Sequence, residues 1–322
     1  MAGVVELAAA IAVAALLIWI GFRARRIGSD ILRWSGMGGA GLLAAVAVLA
    51  SGLAVAGLVK AHSRRAPVPD LHIAAAPGEI ARGQEIADSF CAGCHSKTGI
   101  LTGGTDLGKE IALPIGSFIA ANLTPAGELA HWSDGEIFRA IRNGIDAEGH
   151  WLTIMSYTNA GKLSDDDIKA LIAYIRSLPA GGTPTPDPPD SLSLPGLILL
   201  GAGKLPAGKP VFAGVITAPP KGATLAYGAY ILSYQDCREC HGAGLTGGVE
   251  GQLAPIGPDL DIVKEWKREE FIAAMRTGVT PDGHHIGAAM PWQAVGRMDD
   301  VELSAIYEYL THLPEAPAAV AD

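Results

Sequence analysis

Cys91-Ala92-Gly93-Cys94-His95 and Cys237-Arg238-Glu239-Cys240-His241 are two copies of one five-residue pattern, and together they use all four cysteines of this 322-residue chain. The spacing has a chemical meaning. Two thiols three residues apart lie on one turn, where they add across the two vinyl groups of a haem, and the imidazole beside the second thiol reaches the iron. A single copy would also suit a thiol redox pair or half of a zinc site. Two copies that both end in histidine, with no further cysteine pair to complete a zinc set, point instead to two covalently bound haems c.

The flanks of the two copies repeat as well. Before each lies a helix-like stretch with a glycine, Arg82-Gly83-Gln84-Glu85-Ile86 and Tyr227-Gly228-Ala229-Tyr230-Ile231. After each come Leu-Thr-Gly-Gly (101–104 and 245–248) and Pro-Ile-Gly (114–116 and 255–257), then a segment opened by Trp132 or Trp266. A turn, a methionine and a last helix ending in Leu-Pro complete both copies. Ser133 with Glu136, and Asp299 with Glu302, have capping-box spacing, and Ser164 ahead of three aspartates predicts another capped start. Gly144 and Gly278 mark helix ends. The expected fold class is all-α, with repeated domains over residues 75–180 and 222–315.

A haem held by one histidine needs a second axial ligand or an open position, and methionine opposite histidine raises the reduction potential. After its motif the first repeat contains one methionine, Met155. The second offers Met275, Met290 and Met298; Met275 lies in an apolar helical pattern and Met298 just before a helix start, which suits packing. Met290 occupies the turn position that Met155 occupies, so Met155 and Met290 are the expected iron ligands beside His95 and His241. The alternative is bis-histidine ligation through His150, His284 or His285.

Upstream the composition changes. Residues 1–65 carry a net charge of +5 and the remainder −14. Two apolar runs, Leu7–Phe22 (extended back through Val4) and Met37–Val59, are long enough to cross a bilayer. Four arginines lie in the loop between them, which places that loop in the cytoplasm and both flanks outside. No basic residue precedes Arg23 and no clear cleavage site follows, so a two-helix anchor over 1–65 is expected in place of a removed signal peptide. Gly36-Met37-Gly38-Gly39-Ala40-Gly41 matches a dinucleotide fingerprint, but it opens a membrane helix without the required strand or acid; small-residue helix packing is expected instead.

Composition excludes other classes. The acidic body disfavours nucleic acid, four cysteines are too few for a disulfide scaffold, and 49% hydrophobic residues supply real cores. The stretch 181–221 reads as a proline-rich linker, and its apolar piece Leu192–Leu200 is too short to span a membrane; packing between the repeats is expected of it, with resting on the membrane as the alternative.

Both repeats resemble class I cytochrome c domains, and the tandem resembles the dihaem and multihaem cytochrome c subunits of membrane-bound dehydrogenase complexes. The residues that carry this are the two haem motifs, Asn122-Leu123-Thr124-Pro125, Trp132 to Ile137, Arg142-Asn143-Gly144, Met155-Ser156-Tyr157 and Met290-Pro291-Trp292. The resemblance implies that Cys91, Cys94 and His95 serve one haem with Met155, and that Cys237, Cys240 and His241 serve the other with Met290. It also implies that the helix before each motif crosses the last helix at Gly83 and Tyr174, and at Gly228 and Tyr309. Two departures stand out: such dehydrogenase subunits usually have three haems and a C-terminal anchor, and Ser156 follows Met155 where proline is usual.

The expected function is electron transfer, not catalysis. The chain reads as a dihaem cytochrome c tethered in the bacterial cytoplasmic membrane, with its haem domains on the periplasmic side, where such haems are attached. Its partners would be redox proteins of a respiratory or related chain, other membrane subunits included, the acidic body favouring a basic docking face. A peroxidase-like enzyme with an open haem, or a haem-bearing structural subunit, are the rival readings; two His/Met pairs argue against the first.

Overall fold

The two apolar runs become α1 (Ala2–Ala24) and α2 (Asp30–Ala61), a helical hairpin closed at the arginine loop. The structure, a computed structural model, describes residues 2–111, 113–186, 190–205, 208–252 and 254–313; residues 187–189 of the proline-rich run and 314–315 of the second predicted domain lie outside them. At 23 and 32 residues, α1 and α2 extend about 34 and about 48 Å, beyond the roughly 30 Å of a bilayer core. Leu16, Trp19, Leu42, Leu43 and Leu49 are exposed, so these are not helices whose apolar faces are covered by a protein core. The two meet through small side chains: a Cβ on Gly36 would lie 3.3 Å from that of Ala24, and one on Gly21 3.7 Å from that of Ala40. Of the glycine-rich run, only Gly36 and Ala40 serve this contact; Gly38, Gly39 and Gly41 meet nothing within 4 Å.

The first repeat comprises α3 (Pro77–Ile86), which passes through a π-turn at Ala87–Cys91 into α4 (Ala92–His95), then α5 (Asp134–Asn143), α6 (Thr153–Tyr157) and α7 (Asp165–Ser177). After α8 (Leu194–Gly201), the second repeat follows with α9 (Leu225–Tyr234), α10 (Cys237–His241), α11 (Arg268–Thr277), α12 (Trp292–Val295) and α13 (Asp300–Thr311). The helix boundaries follow the capping chemistry. Ser133 and Glu136 exchange reciprocal hydrogen bonds of 3.2 and 2.7 Å, and Asp299 and Glu302 do so at 2.8 and 3.4 Å. Ser164 accepts from the Asp167 N–H, while Gly144 (φ 62°) and Gly278 (φ 71°) end their helices in the left-handed region.

The helix before each motif crosses its repeat's last helix at a glycine. A Cβ on Gly83 would stand 2.0 Å from the Ala170 carbonyl oxygen of α7 and 2.7 Å from the Tyr174 Cβ; on Gly228 it would stand 2.0 Å from the Ala305 oxygen of α13 and 2.9 Å from the Tyr309 Cβ. The expected crossings are therefore present in both copies, at backbone-to-backbone contact.

The repeats also join each other. Buried apolar residues of both, Ile86, Leu171 and Ile175 with Tyr230, Ile231 and Leu303 among them, form one contiguous cluster. Polar contacts seal its edge. Arg82 grips Asp167 through two bonds of 2.8 and 3.1 Å and reaches Glu302 of the second repeat at 2.5 Å. In the other direction, Tyr230 donates to Asp167 at 2.5 Å. Lys221 ties Glu85 to Asp299, each at 2.7 Å.

The proline-rich stretch is a strap. After Asn122 fixes the Gly181 and Thr183 carbonyls, β2 (Asp190–Leu192) pairs antiparallel with β1 (Gly116–Phe118), Ser117 opposite Ser191. This ribbon is an addition to the expected all-helical fold. The apolar piece Leu192–Leu200 does not pack between the repeats as expected. Instead α8 lies on the ends of the hairpin away from the arginine loop, with Leu197 beside Leu7 and Ala54. Two glycines make the contact, since a Cβ on Gly57 would meet the Leu197 oxygen at 2.0 Å and one on Gly201 the Leu53 oxygen at 1.9 Å. Glu6 accepts from the Leu194 N–H at the start of α8, and Lys60 donates to the Leu200 and Gly201 carbonyls at its end, each matching the helix dipole.

Candidate haem sites

Each motif ends on a histidine whose ring is held by backbone. His95 Nδ1 lies 2.8 Å from the Ala121 carbonyl oxygen, and His241 Nδ1 lies 2.7 Å from that of Pro258. A carbonyl only accepts, so Nδ1 is the N–H, and in the neutral ring Nε2 keeps its lone pair for a metal. Burial lowers the His95 pKa, against the opposing effect of the Ala121 bond, and so favours that neutral ring.

The repeated loops explain themselves at these histidines. Gly103 donates to the His95 carbonyl at 2.8 Å and Gly247 to that of His241 at 3.0 Å, so the first glycine after each Leu-Thr closes the motif helix. Gly103 has φ 61° and Gly247 φ 105°, backbone that glycine adopts without strain. Pro-Ile-Gly, by contrast, serves two ends. A Cβ on Gly257 would fall 2.7 Å from His241 Nδ1, so this glycine admits the ring, whereas Gly116 packs its backbone against Ser191 of the strap.

Chemistry at the cysteines argues against a thiol redox pair. Burial pushes the Cys91 and Cys237 thiols up to about 12, and raises those of Cys94 and Cys240 as well. Redox-active Cys-x-x-Cys pairs depend on the opposite, a lowered thiol pKa. Neutral, half-buried thiols beside a tethered imidazole fit thioether attachment of a haem.

In the first repeat, Cys91, Cys94, His95 and Met155 line one apolar cavity, with Trp132 and Leu129 among its other walls. Met155 reaches it from the short helix α6. Met290 lies in the turn before α12, half-buried and packed on the apolar core. Met275 and Met298 are 7% and 1% exposed, which suits the packing role expected of them. His150 is 47% exposed with Nδ1 on Asp146 at 3.1 Å, and His284 and His285 are exposed.

Several residues at the first cavity had no signal in the sequence. Thr185, Pro186 and Asp190 come from the strap, and Asp236 comes from the second repeat. Asp190 accepts a hydrogen bond from the Thr153 N–H at the start of α6. Burial nevertheless raises its pKa from 3.8 to about 6, with Asp146 and Asp106 adding to the rise. A raised carboxyl pKa contributes stability that is full below the unfolded value and lost as pH rises through the folded one. Asp190→Asn keeps an acceptor for Thr153 and removes the buried charge. The variant should gain about 1–2 kcal/mol over the parent above pH 6, a figure reduced for the residue's partial exposure. The gain should vanish below about pH 4; urea melts at pH 4, 5.5 and 7.5 read it, and a constant difference would refute the assignment.

Two attachment motifs, each preceded by a helix that crosses its repeat's last helix at a glycine and each presenting a tethered imidazole beside two half-buried thiols, define a c-type cytochrome. Over residues 78–175 and 223–310 the chain matches the family described as cytochrome c oxidase, cbb3-type, subunit III, and it belongs to that family. It is a haem c-binding, electron-transfer protein. A diheme cytochrome c-type protein of Cereibacter sphaeroides is 26% identical over 264 residues, 74% of this chain and 86% of the relative. The fructose dehydrogenase cytochrome subunit of Gluconobacter japonicus is 25% identical over 255 residues, 74% of this chain and 50% of the relative. The cytochrome c subunit of the Gluconobacter oxydans alcohol dehydrogenase (quinone) is 30% identical over 103 residues, 28% of this chain and 21% of the relative.

Proposed function

We propose that this chain is a membrane-tethered dihaem cytochrome c that moves single electrons between protein partners of a respiratory or related chain, as a non-catalytic component. The observation that carries the reading is the first cavity, where two attachment cysteines, a tethered histidine and a methionine converge. His95 and Met155 are assigned to one iron, and His241 and Met290 to the other, the second pair by the repeat. Bound there, haem c supplies a one-electron ferric/ferrous couple, and methionine ligation favours the reduced state. The chain's own residues would hold the imidazole tautomer, surround the group with apolar walls and offer each iron one histidine and one methionine, a set that favours electron transfer over binding a substrate at the metal.

Membrane tethering rests on α1 and α2, whose spanning windows have mean hydropathies of 2.4 and 2.5. The arginine loop closes one end of the hairpin, and Lys60, α8 and the repeats lie at the other. That polarity supports a cytoplasmic loop and haem domains on the periplasmic side of a bacterial inner membrane. The relatives named as dehydrogenase cytochrome subunits support assembly with an oxidoreductase and other membrane subunits, and the −14 body supports a basic docking partner.

Spectroscopy tests the carrier reading. The oxidised protein should show two low-spin haems with the Met–iron charge-transfer band and no rapid reaction with peroxide or carbon monoxide. Met155→Ala and Met290→Ala should each remove about half of that band and lower one of the two potentials. A high-spin, peroxide-reactive haem in the parent would refute the carrier assignment, and an unchanged band in both variants would refute the ligands.

A further inference from the structure

The second attachment motif adjoins the first cavity. Asp236, the residue before Cys237, forms part of the wall that Cys91 and Cys94 also line. Phe90, the residue before Cys91, meets Tyr234 edge to face, with ring centroids 6.2 Å apart and planes at 83°. Asn159 fastens the two together. Its backbone N–H and side-chain Nδ2 both donate to Asp236 Oδ1, at 2.9 and 2.7 Å, and Nδ2 also reaches Glu239, between the second pair of cysteines, at 3.2 Å. Lys209 of the strap binds both Asn159 Oδ1 and Glu239, at 2.5 and 3.1 Å.

Asn159 follows α6 directly, two residues after its end, so the segment that brings Met155 to the first cavity also grips the second motif. Its side chain is 4% exposed and makes both kinds of bond its amide allows: its oxygen takes the lysine and its nitrogen the carboxylates. Such an element transmits position, because neither partner can shift without breaking part-buried, charge-assisted bonds.

We propose that the two haem sites share this wall and act as one electronically coupled unit, with Asn159 as the positioning residue that latches the second motif onto the first cavity. The inference rests on the dihaem reading above. Exchange across the wall is a single-electron step: the site that loses the electron is oxidised and the other reduced, with no bond or proton changed. The unit therefore needs only one contact with a donor and one with an acceptor.

Circular dichroism of the oxidised, haem-loaded full chain in the Soret region tests this, because two haems in close contact split that band into lobes of opposite sign. The parent should give such a couplet, and variants lacking one site (Cys91→Ser with Cys94→Ser, or Cys237→Ser with Cys240→Ser) should give single-signed bands that do not sum to it. Asn159→Asp sets a carboxylate against Asp236 and should shrink the couplet at full haem content. Adding Asp236→Asn restores a donor opposite the new carboxylate and should recover it, which a merely destabilising change would not do. A parent spectrum equal to the sum of the single-site variants, with two haems per chain, overturns the coupled unit. Fewer than two haems per chain would instead overturn the dihaem assignment on which it rests.

Discussion

Alanine at Gly83 or Gly228 should destabilise the protein, although both positions lie inside helices where alanine is the better residue. Helix propensity alone favours the change by about 1 kcal/mol. Against that stands a methyl group 2.0 Å from a backbone carbonyl oxygen, on Ala170 in one case and Ala305 in the other. Backbone cannot rotate away as a side-chain tip does, so the crossing helices must separate along their contact. Overpacking of this kind costs about 1–3 kcal/mol or more, enough to reverse the propensity gain. Because α3 and α9 lead into the attachment motifs, the loss should also appear as reduced haem incorporation in the affected repeat. Gly78→Ala is the internal control: it lies in α3 with nothing within 4 Å of the new Cβ and should be neutral or slightly stabilising. Urea denaturation with haem quantification reads all three, and equal stabilities would show that the crossings yield more easily than their geometry implies.

Arg82→Ala is the second large effect. Asp167 is 8% exposed and Glu302 2%, and Arg82 joins them across the repeats. Burial alone would lower the Arg82 pKa, but hydrogen bonding and the charge of Asp167 outweigh it and raise it. Removing the guanidinium takes from two buried carboxylates the cation that bonds them directly, leaving Lys221 to act on Glu302 only at a distance, and a loss of about 3–5 kcal/mol is expected. Arg82→Lys keeps the charge but not the two-pronged grip on Asp167, so it should fall between parent and alanine variant. A loss under about 1 kcal/mol at neutral pH would mean that solvent screens the network as it screens a surface pair.

The features legible in the sequence share a short range. Two thiols and an imidazole within five residues state their chemistry without a fold, and capping at Ser133, Ser164 and Asp299 involves residues three apart. The crossings at Gly83 and Gly228 were legible only through the resemblance to class I cytochrome c domains, since no local pattern says which helices meet there. The apolar hairpin announces itself by length. By contrast, Pro-Ile-Gly occurs twice with two outcomes: Gly257 admits a histidine ring, and Gly116 packs against the strap. The words match, but only their neighbours in space decide what the glycine is for.

The strap shows the same limit more strongly. Proline restricts backbone angles and so marks residues 181–221 as extended, but it does not say what surface they cover. The apolar piece Leu192–Leu200 could bury itself wherever an apolar partner was available, and α8 chose the hairpin because Gly57 and Gly201 let the two backbones touch. Asp190 then comes to rest in the first cavity as a consequence of the β1–β2 register.

By itself, then, the sequence determined the cofactor chemistry, the helical repeats, their caps and the apolar hairpin, since each depends on residues within a turn or two of one another. Tertiary structure alone decided that Arg82 meets Asp167 and Glu302, 85 and 220 positions away, and that Asn159 holds the second motif against the first cavity. Those contacts join residues that no local pattern links, and they exist because both repeats bury their apolar faces in one core. That burial fixes which polar side chains must find partners along its edge.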